Sequence, residues 1–201
     1  GEVHDLDTAL GKLFSELRAR GLYENAWIVI TGDHGEFLGE HRLLGHASEL
    51  YEEALRVPLF VRSPGGTQRR PISGQVQLVD ILPSLAPHFG LSVSGAVDGL
   101  PFDEVGTRAA VAEHFEYPQF VDAFGPRFAG DRRAWIDAET RLYTFTARPT
   151  EWEGDATTEA KLGAVRSLST WISKHAPMER SQTQPELSPE ERRRLEGLGY
   201  L

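Results

Sequence analysis

The stretch Ala26-Trp-Ile-Val-Ile-Thr-Gly-Asp-His-Gly-Glu36 decides how this chain is read. It continues through Gly39-Glu-His-Arg-Leu-Leu-Gly-His46 to Leu50-Tyr-Glu-Glu-Ala-Leu-Arg-Val-Pro-Leu59. An apolar run ending in Gly-Asp-His-Gly predicts a central strand of a parallel sheet that delivers polar groups to its carboxyl edge, where open α/β sheets place their ligands. That edge receives one carboxylate, Asp33, and the imidazoles of His34, His41 and His46, a set suited to a metal ion.

Outward from this strand the grammar is α/β. Leu6, Leu10, Leu13, Phe14 and Leu17 recur at helical spacing between Asp5 and Arg20, with Asp5 as a possible N-cap and Gly21 as the stop. Pro58 to Val61 is a second strand, residues 63–71 a turn-rich connector, Gln75 to Leu78 a short strand, and Val79 to Phe89 a helix closed by Gly90. Glycine and proline loosen the chain between Ser92 and Gly106, which sets an expected boundary between a domain over 1–100 and a small α+β subdomain over 101–201. In the second part, residues 109–115, 132–137 and 141–147 alternate as three strands of a meander, and Thr158 to His175 is a helix. Ser188-Pro-Glu-Glu191 is a capping box opening a final short helix.

With 201 residues, 40% apolar and 25% charged, the chain can bury a core of its own. Twenty-one basic against thirty acidic residues leave a formal charge of −9, which repels phosphate backbones and anionic membranes, so nucleic acid is not an expected partner. No apolar run approaches the roughly 20 residues of a membrane span. The absence of Cys removes disulfides and thiolate metal ligands.

Asp33 and His34 carry the best chemical case, because a hard oxygen and a borderline nitrogen at one strand end can face one divalent cation. The alternative is an Asp that caps the loop beside a surface His. Glu36 offers a second carboxylate, and braces the loop more readily than it acts as a base. Arg56 either pairs with Glu52 or Glu53 or faces the site. His4, His88, His114 and His175 have no site-like spacing and are read as surface or packing residues. The cluster Phe115-Glu-Tyr-Pro-Gln-Phe120, with Phe124 and Phe128, is read first as core and second as a substrate entrance.

Taken in order, Val3-His-Asp-Leu-Asp7, Thr31-Gly-Asp-His-Gly-Glu36, Leu38-Gly-Glu-His41, Gly45-His46, Tyr51-Glu-Glu-Ala-Leu-Arg-Val-Pro-Leu59, Val79-Asp-Ile-Leu-Pro-Ser84 and the tail from Leu187 to Leu201 resemble the second half of a sulfatase, of the alkaline phosphatase superfamily. The resemblance implies part of an alkaline-phosphatase-like mixed, mostly parallel sheet with flanking helices, plus a small C-terminal antiparallel sheet and helix. It implies metal ligation by Asp33 and His34, with calcium the family's usual ion and manganese or zinc brought into range by the imidazole. It places His46, where many sulfatases have Lys, against the sulfate and the leaving oxygen, with His41, Glu36 and Arg56 supporting the loop. The run Tyr143-Thr-Phe-Thr-Ala-Arg-Pro departs from the family's usual motif after the small sheet's strand.

The family's nucleophile, a formylglycine made from Cys or Ser, and two further metal-binding Asp residues belong to an N-terminal half that has no counterpart here. The resemblance therefore implies a fragment, inactive alone, whose partners are a sulfate ester substrate and the missing half, and which self-associates through its uncovered edge. Two other readings stand beside it: a phosphodiester or phosphonate monoester hydrolase of the same superfamily, and a non-catalytic binding or assembly module.

Overall fold

A computed structural model describes residues 1–46, 48–66, 70–93, 95, 97–175, 188–190 and 193. By contact the chain forms two compact units, Gly1–Arg166 and Ser167–Leu201. The expected terminal helix after Ser188 falls largely outside the described residues.

Helix α1 (Glu2–Ala19) starts earlier than its apolar pattern predicts. Gly1 is the N-cap and Asp5 lies inside the helix, so the capping role expected for Asp5 is corrected. The helix ends as expected, with Gly21 at φ +67 and Leu22 N–H donating back to the Leu17 carbonyl. Tyr23 then takes the Arg18 and Arg62 guanidiniums over its ring, and Arg62 also donates to the Tyr23 carbonyl at 2.7 Å.

Strand β1 (Ile28–Thr31) pairs with a strand 28 residues further on. The intervening chain holds a two-residue hairpin, β2 (Phe37–Leu38) with β3 (Leu44–Gly45), and one turn of helix, α2 (Glu52–Leu55), before β4 (Leu59–Arg62) returns beside β1. The β1–β4 pair is antiparallel, in the register Ile28↔Arg62 to Thr31↔Leu59. β1 thus stands in a two-stranded antiparallel ladder and not as the expected central strand of a parallel sheet, because β4 returns beside it in the opposite direction, and no parallel pairing occurs among the described residues.

The segment expected as a strand at Gln75 to Leu78 is instead a helix cap. Gln77 and Asp80 exchange side-chain and backbone hydrogen bonds as a capping box. Asp80 is fully buried and also accepts from Leu100 N–H at 2.8 Å and pairs with Arg108. These bonds take the polar groups that a strand ladder would have used. The helix that follows is broken into a 3₁₀ turn, α3 (Ile81–Leu85) and another 3₁₀ turn, ending at Gly90 with φ +67. Pro83 and Pro87 account for the break, since neither has an N–H to donate.

Beyond residue 100 the meander has four strands, not three: β5 (Ala110–His114), β6 (Arg132–Ile136), β7 (Arg141–Phe145) and β8 (Glu151–Glu153), antiparallel throughout and in that order. Helix α4 (Pro118–Phe124) sits in the β5–β6 connection, and α5 (Thr158–Lys174) follows β8. One hydrophobic cluster joins Phe37, Leu43, Tyr51 and Ala54 to Ala134, Ile136 and Tyr143 of the small sheet. Within the first unit, the loop after β1 is thus seated on the sheet that comes a hundred residues later. Phe128 packs against this cluster, whereas Tyr117 and Phe124 stay exposed.

Candidate functional site

The site begins where β1 ends. Gly35 N–H donates to the Ala54 carbonyl at 2.7 Å, and a Cβ at residue 35 would lie 1.9 Å from the Glu53 carbonyl oxygen. Glycine is required there by close backbone approach. The contact clamps the chain between His34 and Glu36 onto α2. From this clamp the hairpin runs with Phe37 opposite Gly45 and Leu38 opposite Leu44. Phe37 is fully buried, so its neighbours Glu36 and Leu38 turn to the outer face. Glu36 and His46 therefore stand opposite each other at the hairpin's open end, with Glu36 Oε2 3.0 Å from His46 Nδ1. A carboxylate accepts, so Nδ1 carries the proton of that bond.

His34 completes the group. Its Nδ1 lies 2.9 Å from the Gly35 carbonyl oxygen, which can only accept, so Nδ1–H donates and the neutral ring presents its lone pair at Nε2. The His34 and His46 rings are 4.0 Å apart between centroids and tilted by 31°. One ligand atom each from His34, Glu36 and His46 can be drawn within 4.8 Å of the others. Asp33 borders this group: its Oδ1 accepts the His34 backbone N–H at 3.0 Å, and its Oδ2 is 3.8 Å from His34 Nε2. Asp33, His34, Glu36 and His46 are thus brought together.

His41 and Arg56 are not. His41 has φ +52, a left-handed conformation uncommon for a side-chain-bearing residue, and its ring stacks on Tyr51 at 3.8 Å. Its Nε2 lies 3.3 Å from Glu53 and 3.6 Å from Glu153, and its carbonyl accepts from Arg127 at 2.9 Å. His41 therefore anchors the hairpin from behind. Arg56 is largely exposed and its ion pair is with Glu52, at 3.7 Å.

Sequence reasoning missed a buried ionic cluster directly after His46. Glu49 is fully enclosed. Its Oε2 accepts from Arg132 at 3.2 Å and from Arg148 at 2.6 Å, while Arg132 also donates to the Gly130 carbonyl. Burial pushes the Glu49 carboxyl above its usual range, against the opposing pull of the two guanidiniums. Tyr51, two residues on, donates to Glu151, and burial together with that carboxylate raises its hydroxyl to about 12. The partners lie about a hundred residues apart in the chain. The local signal is confined to two arginines, Arg132 opening β6 and Arg148 three residues past the end of β7.

Three comparisons bear on the chain. Residues 1–91 match the family model described as Sulfatase. An uncharacterized sulfatase, YidJ, of Escherichia coli is 35% identical over 141 residues, covering 68% of this chain and 27% of its own length. A multifunctional alkaline phosphatase superfamily protein, PehA, of Trinickia caryophylli is 31% identical, covering 62% of this chain and 25% of its own length. Among solved structures, the phosphonate monoester hydrolase of Agrobacterium radiobacter superposes with a TM-score of 0.71 over 94% of this chain and 43% of that one, at 22% identity. That likeness shows the fold. The chain spans about a quarter of the length of these curated relatives.

Proposed function

We propose, from the premise that residues 1–91 belong to the sulfatase family, that this chain supplies the cation-binding and leaving-group side of an active site that hydrolyses sulfate esters. One observation carries the reading: His34 and His46 meet at 4.0 Å, with Glu36 holding His46 by Nδ1, at the end of the strand that delivers Asp33. The donor set fits a cation, since Asp33 Oδ2 and the free Nε2 of His34 lie 3.8 Å apart and both keep lone pairs. A divalent ion held there would polarise a sulfate oxygen. Calcium is the family expectation, and the imidazole nitrogen of His34 extends it to manganese or zinc.

His46 is the proposed catalytic residue. With Nδ1–H held by Glu36, its Nε2–H can donate to the negative charge that develops on the leaving oxygen, and the Glu36 carboxylate balances the positive charge this requires. His41 and the Gly35 clamp keep the hairpin in register beneath it. None of these residues is assigned as the family's formylglycine, so no attack step runs through them. The pure chain is accordingly expected not to turn over 4-nitrophenyl sulfate. Turnover that disappears on Asp33→Ala would contradict this expectation.

A second reading, a phosphodiester or phosphonate monoester hydrolase, is favoured by one observation. Position 46 carries an imidazole where many sulfatases have Lys. Titrating the calcium-loaded chain with sulfate and with methylphosphonate, read on the His34 and His46 imidazole NMR signals, tests both. A sulfate response at His46 at lower concentration supports sulfate esters, the reverse order supports the alternative, and no response to either anion overturns the site.

A further inference from the structure

We propose that His34, Glu36 and His46 form a three-ligand site for a borderline divalent ion such as zinc or cobalt(II), with a ligand set different from the Asp33–His34 pair. Two nitrogens and one carboxylate oxygen are a donor set that holds zinc, whereas calcium prefers six to eight oxygens. The three ligand atoms already lie within 4.8 Å of one another. Metal–ligand bonds of about 2.0–2.2 Å at tetrahedral angles require ligand atoms roughly 3.3 Å apart, so the gathering still needed is about an ångström per side chain. Glu36 is exposed and the two imidazoles are partly so, so the movement does not require a fully buried side chain to shift.

The backbone supplies what the side chains lack in rigidity. Gly35 is clamped to Ala54 between two of the ligands, and the Phe37–Gly45 pairing sets Glu36 opposite His46. The bond from His34 Nδ1 to the Gly35 carbonyl is the backbone contact that commonly orients a metal-binding imidazole and fixes Nε2 as its ligand atom. Because Nε2 is then the one lone pair His34 has to offer, it can serve an ion shared with Asp33 or an ion shared with Glu36 and His46, but not both at once. A zinc ion in this set would also take His46 out of any role toward a leaving group. The inference goes beyond the hydrolase reading and does not depend on a substrate.

The test is isothermal titration of the chain with zinc chloride and with calcium chloride, paired with the visible spectrum of the cobalt(II) form. The expected result is one zinc per chain, little or no calcium heat at the same concentrations, and an intense ligand-field band from cobalt in a low-coordinate nitrogen and oxygen environment. Glu36→Gln and His46→Ala are expected to weaken zinc by at least about tenfold and to bleach the cobalt band, while Asp33→Asn leaves both within about twofold. Circular dichroism of each variant checks that it is folded, and the exposed Glu36→Gln change alters no core contact. Zinc binding lost with Asp33→Asn but kept in His46→Ala would overturn the inference in favour of the adjacent pair. Absence of zinc binding by the folded chain would also overturn it. A chain that responds to sulfate at His46 in the presence of calcium yet ignores zinc would refute this inference alone and leave the hydrolase reading standing.

Discussion

At the scale of single residues, two glycines make opposite predictions. A Cβ on Gly35 would meet the Glu53 carbonyl oxygen at 1.9 Å, and that oxygen belongs to backbone, which cannot swing aside. Gly35→Ala should therefore break the bond to Ala54 and cost about 3 kcal/mol, the upper end for overpacking, read as a lower urea midpoint. Gly11 lies inside α1 with nothing within 4 Å of its would-be Cβ, so Gly11→Ala should add up to about 1 kcal/mol of stability through helix propensity and raise the midpoint accordingly. Equal effects at both positions would mean that the clamp on the site loop is not formed. Asp33, His34, Glu36 and His46 were legible in the sequence because a strand exit and a two-residue hairpin bring them together over fourteen residues. His41 was legible as a loop residue, but its partners were not: Glu153 comes from a strand more than a hundred residues away, and only packing brings it near.

At the scale of elements, ionic ties from the small sheet and the loop before it converge on the segment after β2. Arg132 and Arg148 hold Glu49, Arg141 holds Glu52 at 2.6 Å, Glu153 faces His41, and Arg127 reaches the His41 carbonyl. The Glu52–Arg141 pair gives a pH prediction. The hydrogen bond from Arg141 is the largest influence on the Glu52 carboxyl and holds it below its usual value of 4.5. A depressed carboxyl stabilises the fold above its unfolded value, and that contribution is lost as the pH falls through the folded value. Glu52→Gln should thus cost about 1 kcal/mol at neutral pH, a modest figure because both side chains are about a third exposed. The difference from the parent chain should shrink as the pH falls below 4.5 and vanish once it passes the lowered folded value, as followed by urea denaturation in acid. A difference that persists unchanged in acid would show that Glu52 acts by packing rather than charge. The elements themselves were legible where apolar periodicity was strong, as in α1, β1 and β5 to β7. Strand β8, Glu151-Trp-Glu153, was invisible because two acidic residues flank one aromatic; it pairs with β7 in the register Arg141↔Glu153 to Tyr143↔Glu151, and the Tyr143 hydroxyl donates diagonally to Glu153 at 2.9 Å.

At the scale of the whole molecule, the distribution of apolar side chains matters most. Among the described residues, more large hydrophobic side chains are exposed than buried. Several of the exposed ones are grouped rather than scattered. Val79, Leu82 and Phe89 share one short helical segment and Leu91 follows it just past Gly90, each more than half exposed, and Leu38 and Leu44 face each other across the hairpin at about 80% exposure. Single exposed leucines need no explanation, but contiguous groups mark surfaces that are covered by something. The β1–β4 pair adds a second reason, since among the described residues no further strand pairs with either of its outer edges, and such edges recruit further strands. The net charge of −9 opposes association at low ionic strength, so salt should promote it. We therefore expect sedimentation equilibrium to give an average mass above 22.3 kDa that rises with concentration and with added salt. Val79→Glu with Leu82→Glu should shift the chain back toward the monomer, because a carboxylate on each exposed face costs far more to bury than the valine or leucine it replaces. A single 22.3 kDa species at every concentration and salt level, with no binding of a hydrophobic dye, would show that these apolar groups are tolerated by the chain in isolation.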